Sequence, residues 1–146
     1  MDTTALRSQI SALIVEFAWR IDHDEGRLVE DLFTEDGRYG LLGYPVQGRA
    51  AIKELYDRRR SRGPRTSRHL FDNLYLHPAS THERARVTTV LTLHAADGPP
   101  PHPLRPVLIA DYDDVCHRGS DGRWRFQSRD ATVLFTAPGP AGEAPK

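Results

Sequence analysis

The chain is poor in several residue types whose abundance would suggest a function. Cysteine occurs once in 146 residues, at Cys116, so neither an intramolecular disulfide nor a multi-thiolate metal site can form within one chain. Net charge is missing too: 20 Lys and Arg balance 20 Asp and Glu, and without an overall field of either sign nothing points to nucleic acid or an anionic membrane as partner. No apolar run approaches the roughly 20 residues that cross a bilayer, and the N-terminus lacks the basic and apolar regions of a secretory signal, so cytoplasm is the expected compartment. Lysine appears only at Lys53 and Lys146; arginine carries the positive charge. The seven histidines include no H-E-x-x-H or other ligand spacing, and no G-x-G-x-x-G cradle is present. No metal and no organic cofactor is expected.

The chain does carry a carboxylate in an unusual place. Leu6, Ile10, Leu13, Ile14, Phe17 and Ile21 fall on one stripe of a helix with 3.6 residues per turn. Val15, Ala18 and Trp19 extend the apolar surface round a second side, and Asp22 lies on that side. An acid in the last turn opposes the helix dipole, so helix stability does not explain it. Desolvation there is expected to raise its pKa toward the range of a working acid or base. Much later comes Arg68-His69-Leu70, an imidazole that a compact fold can bring to the carboxylate. Ser67, His69, Phe71, Asn73 and Tyr75 alternate along one face, which would equally suit a satisfied core histidine.

Helical patterns precede strand patterns. Leu28 to Phe33 suggests a short second helix, Thr34-Glu35-Asp36-Gly37 a turn into a short strand over 38–42, and residues 49–60 a third helix that stops before Gly63-Pro64. The period then changes to two over 67–77, 84–95, 107–116 and 123–135, with Gly119-Ser120-Asp121-Gly122 as a hairpin turn. The proline-rich segment 98–103 cannot join a sheet. The expected fold is α+β: a cone-shaped, curved, mostly antiparallel sheet wrapped around a pocket, with three helices in the N-terminal half. Residues 1–136 read as one domain, and 137–146 as a Pro, Gly and Ala rich tail without fixed structure. Both alternating sets of the later strands are apolar, as in Val107 and Ile109 against Leu108 and Ala110. A homodimer through the outer sheet face is therefore expected.

Ile21-Asp22, Leu32-Phe33-Thr34-Glu35-Asp36-Gly37, Gln47-Gly48-Arg49-Ala50-Ala51-Ile52, Thr66-Ser67-Arg68-His69 and Asp121-Gly122-Arg123-Trp124-Arg125-Phe126, in that order, resemble the nuclear-transport-factor-2-like superfamily. Within it the chain is similar to the branch of scytalone dehydratase and the SnoaL-type polyketide cyclases, over about residues 5 to 136. The resemblance implies that Asp22 orients and polarises a histidine, and that His69 is that histidine, the general acid/base. It implies a supporting role for His94 and a substrate contact for Tyr39. Phe17, Tyr56, Asn73 and Asp111 complete the expected substrate surroundings. The run Asp111-Tyr112-Asp113-Asp114 departs from the dehydratase pattern, where an amide would be expected. The implied function is cofactor-independent dehydration, isomerisation or cyclisation of a mid-sized polyketide-like or polycyclic hydrophobic metabolite. The competing class is a ligand-binding or dimerisation module, or the small subunit of a ring-hydroxylating dioxygenase. The arginines from Arg58 to Arg68 lack interleaved aromatics and do not suit nucleic acid; they leave room for a carrier-protein phosphopantetheine or an anionic substrate tail.

Overall fold

A computed structural model describes residues 2–41 and 43–138; Leu42 and most of the Pro-rich tail, 139–146, lie outside the described residues. The first helix, α1, runs Thr3–Asp24 and starts at Asp2, whose side chain accepts a hydrogen bond from the Thr4 N–H. Its buried residues are Leu6, Ile10, Leu13, Ile14, Phe17 and Ile21, the stripe read from the spacing. The helix ends because Glu25, Gly26 and Leu28 all take left-handed backbone conformations. At Gly26 a side chain would strike the Tyr56 ring, so the turn is pinned against the helix Arg49–Ser61 that carries it.

The expected second helix is only a 3-10 turn, Val29–Leu32. Four residues between a left-handed Leu28 and an extended Phe33 leave no room for a longer one, so among the described residues two α-helices stand where three were expected. Strand β1, Phe33–Leu41, absorbs the expected turn: its parallel pairing shifts register between Phe33 and Arg38. An unforeseen strand β2, Tyr44–Gln47, pairs antiparallel with it. Its Pro45 is tolerated because β2 is an edge strand. Helix α2, Arg49–Ser61, buries Ile52 and Tyr56.

Four long strands follow: β3 (Arg65–Leu76), β4 (Arg84–Asp97), β5 (Leu108–Arg118) and β6 (Trp124–Thr136). The sheet order is β2-β1-β6-β5-β4-β3, with β1–β6 the parallel pair and the others antiparallel. On β4 the inward residues Ala85, Val87, Thr89, Leu91 and Leu93 are all buried, and on β5 Leu108, Ala110, Tyr112, Asp114 and Cys116. Leu108 thus belongs to the core, while Val90, Val107 and Ile109 are half-buried. The other edge of the sheet is β3, and α1 packs beside it. That junction holds the site. No helix among the described residues is long and apolar enough to cross a membrane.

Candidate active site

Asp22 leaves α1 facing the free edge of β3. Its Oδ1 accepts from the Ser67 hydroxyl at 2.8 Å and contacts His69 Nδ1 at 2.7 Å, and its Oδ2 accepts from the His69 backbone N–H at 2.8 Å. The carboxylate therefore satisfies an edge-strand N–H that no neighbouring strand reaches. Both side chains are nearly buried, 5 % exposed for Asp22 and 7 % for His69. Burial pushes the Asp22 carboxyl up, but the His69 ring, the His69 N–H and the Ser67 hydroxyl together hold it below its ordinary value. This corrects the expectation of a raised pKa. An ionised Asp22 can only accept, so His69 Nδ1 must carry the proton of that hydrogen bond. Nε2 then holds the free lone pair, and among the described residues it has no hydrogen-bond partner.

His69 and Asp22 line a cleft of about 620 Å³ between α1 and β3, within the size range of small-molecule sites. Val15, Ala18 and Trp19, the second apolar side of α1, form one wall. Val15 is 60 % exposed and Trp19 57 %, so that side faces the cleft and not the core. The Trp19 ring stacks on His23 with centroids 3.9 Å apart at the rim. Leu70, Phe71, Asn73 and Leu74 of β3 supply the other wall.

The remaining expected contacts are scattered. Asn73 lines the cleft. Phe17 and Tyr56 are sealed in the core, as is Tyr39, whose hydroxyl lies 3.1 Å from that of Tyr112. Burial raises the pKa of all three tyrosines, Tyr56 to about 12, so each is a neutral phenol near pH 7. His94 pairs with Arg68 on β3, one residue out of step with the His69–Leu93 pair, and so projects from the opposite sheet face. Asp111 likewise alternates with inward Tyr112. Neither approaches the cleft, because one residue of parity reverses a strand side chain. Several cations of the arginine run are engaged locally: Arg58 pairs with Glu54 at 2.6 Å and Arg60 with Asp57.

A second buried ion pair among the described residues went unforeseen. Arg129 donates from Nε and Nη2 to the two Asp114 oxygens at 2.7 and 3.0 Å, and both side chains are fully buried. The Arg129 guanidinium carbon lies 4.4, 4.9, 4.6 and 4.3 Å from the ring centroids of Phe17, Phe71, Tyr112 and Phe126. Burial opposes its charge, yet Asp114 more than offsets this and keeps the guanidinium above its ordinary pKa. Its Nη1 is buried without a partner among the described residues. Alternation held the signal: Asp114 shares parity with Ala110, Tyr112 and Cys116, and the β5–β6 hairpin sets it opposite Arg129. Phe71 lies between the two pairs, 6.3 Å from the His69 ring.

A carboxylate-oriented imidazole on the wall of a cleft, beside a helix-backed six-stranded sheet, is an arrangement able to transfer protons. A family model for the SnoaL-like domain matches residues 2–130. The chain belongs to the SnoaL-like domain family. Its fold is NTF2-like: ActVI-ORFA from Streptomyces coelicolor superimposes with a TM-score of 0.78 at 22% identity, over 92% of this chain and 99% of that one. A Novosphingobium aromaticivorans protein provisionally named a scytalone dehydratase gives 0.78 at 20% identity over 97% of each chain. An NTF2-like protein with a cystatin-like fold from the same genus and species gives 0.71 at 21%, over 94% of this chain and 84% of that one. At such identities the likeness carries the SnoaL-like fold alone. No curated protein matches the sequence. Among the described residues of this SnoaL-like domain, no three His, Cys, Asp or Glu side chains cluster closely enough to hold a metal.

Proposed function

We propose that the protein is a cofactor-independent acid/base enzyme that dehydrates, isomerises or cyclises a mid-sized polyketide-like or polycyclic metabolite, with His69 as the proton carrier. One observation carries this reading: Asp22 binds His69 Nδ1 at 2.7 Å while Nε2, on the wall of an open cleft, has no partner among the described residues. Nε2 takes a proton from an acidic C–H or a hydroxyl of the bound substrate. The imidazolium formed is stabilised by the ionised Asp22 and returns the proton to the leaving hydroxyl or to another carbon. Asp22 is a positioning residue; its depressed pKa keeps it ionised through the cycle. The apolar walls from Ile14, Val15, Ala18, Phe71 and Leu74 suit a flat hydrophobic ring system.

Proton abstraction is the step shared by all three outcomes, so it is the step to assay. In D₂O the enzyme should catalyse deuterium exchange at the acidic carbon of 2-tetralone, followed by NMR. The His69→Ala protein, shown to be folded by its melting curve, should not. Exchange at the wild-type rate in His69→Ala would sink the mechanism. A homodimer through the outer sheet face belongs to the same proposal, with half-buried Val90, Val107 and Ile109 as its apolar contacts.

A further inference from the structure

Thr89 occupies an inward position of β4 between the buried Val87 and Leu91, where alternation and burial favour an aliphatic side chain. It is 2 % exposed, and its Oγ1 has no hydrogen-bond partner among the described residues. A buried, unpaired hydroxyl is destabilising relative to the isosteric valine. The reason it lacks a partner is local. Asp72 pairs with Val90 and Tyr75 with Thr88, so both Asn73 and Leu74 face Thr89 across a bulge, with Asn73 at φ 54. Thr89 and Asn73 both line the cleft that holds His69.

We propose that Thr89 and Asn73 form a neutral hydrogen-bonding subsite at the far end of the cleft, which takes a hydroxyl or carbonyl oxygen of the substrate. This rests on the reading of the cleft as a substrate site. His69 pairs with Leu93, four residues along β4 from Thr89, which sets the subsite about 13 Å along the sheet from the imidazole. Two hydrogen bonds of about 2.8 Å at the ends of that span leave roughly 7 Å between the substrate oxygens, which a fused two-ring skeleton fills. A threonine hydroxyl and an asparagine amide each both donate and accept, so they recognise neutral oxygen without requiring charge. Asp72, which also lines the cleft, repels a carboxylate or phosphate there. The substrate class implied is a flat, uncharged ring system oxygenated at both ends, held at one end by Thr89 and Asn73 and presented at the other to His69.

Calorimetric titration with 2-naphthol and 2,6-dihydroxynaphthalene tests this without requiring turnover. Wild-type protein should prefer the diol by roughly three- to tenfold, the worth of one net hydrogen bond. Thr89→Val should abolish that preference while its melting temperature stays level or rises, and Thr89→Ser should restore it. Asn73→Gly, which tolerates the positive φ, should also weaken the diol more than the mono-ol. A preference retained in Thr89→Val, or no binding of either probe to the wild type, overturns the subsite. The two proposals fail separately: deuterium exchange into 2-tetralone, which carries one oxygen, reports on proton transfer at His69 and not on Thr89, whereas the diol preference reports on binding and not on proton transfer.

Discussion

Among the described residues two acid–base pairs are buried, and they differ in their surroundings. Asp22 and His69 sit on the wall of an open cleft, with one imidazole nitrogen unpartnered among the described residues. Asp114 and Arg129 sit inside a cage of four aromatic rings, fully buried. An imidazole exchanges its proton near neutral pH; a guanidinium does not. On the proposed reading the partner that borders the cleft carries the chemistry, whereas the permanent cation sealed among rings serves structure and supplies a fixed positive field. Phe71 touches both environments and keeps them apart.

The largest expected effect comes from removing the cleft's imidazole. His69→Ala should lower turnover or exchange by roughly 10²- to 10⁴-fold and change the melting temperature little. Arg129→Met should do the opposite. Stripping the cation leaves Asp114 buried and uncompensated, with a cost of about 3–5 kcal/mol in urea denaturation, and the further change Asp114→Leu should recover much of it. If Arg129→Met instead left stability unchanged, the division between a chemical pair and a structural pair would collapse.

Asp22→Asn should lower the rate by roughly tenfold or more, because a neutral amide neither holds the tautomer nor stabilises the imidazolium. The same variant sharpens the comparison through pH. The folded Asp22 pKa lies below its ordinary value, so its contribution to stability is complete above the unfolded carboxyl pKa of about 3.9 and is lost as pH falls through the folded pKa. Melting curves between neutral and strongly acid pH should show this acid-side loss in the wild type and less of it in Asp22→Asn. The smallest effect concerns the outer face: Val90→Asp should leave the fold and the exchange reaction in place while sedimentation equilibrium registers a lower mass. An unchanged mass would remove the dimer from the proposal.

Much of the local architecture was legible because period is a property of neighbouring residues. The stripe from Leu6 to Ile21, the long strands and the hairpin at residues 119–122 could all be read, and so could the oddity of Asp22 on a second apolar side of α1. The 3-10 turn at Val29–Leu32 was misread because a few apolar residues fit one helical turn as well as a helix, and left-handed Leu28 has no sequence signal comparable to glycine. His94 and Asp111, substrate contacts by resemblance only, sit on the sheet face opposite the cleft. Alternation separates two faces of a strand but does not say which one is covered.

By itself, then, the sequence determined which residues share a face, where the chain turns, and that one carboxylate stood where helix stability did not need it, since all of these depend on spacing along the chain. Only the tertiary structure decided which face became core and which became cleft. It set Asp22 against the free edge of β3, where three donors lower its pKa; it closed four rings around Arg129; and it left the Thr89 hydroxyl facing a bulge. Those outcomes depend on strand order, register and the packing of α1 beside an edge strand, which bring together residues 45 to 47 positions apart in the chain and have no counterpart in any local pattern.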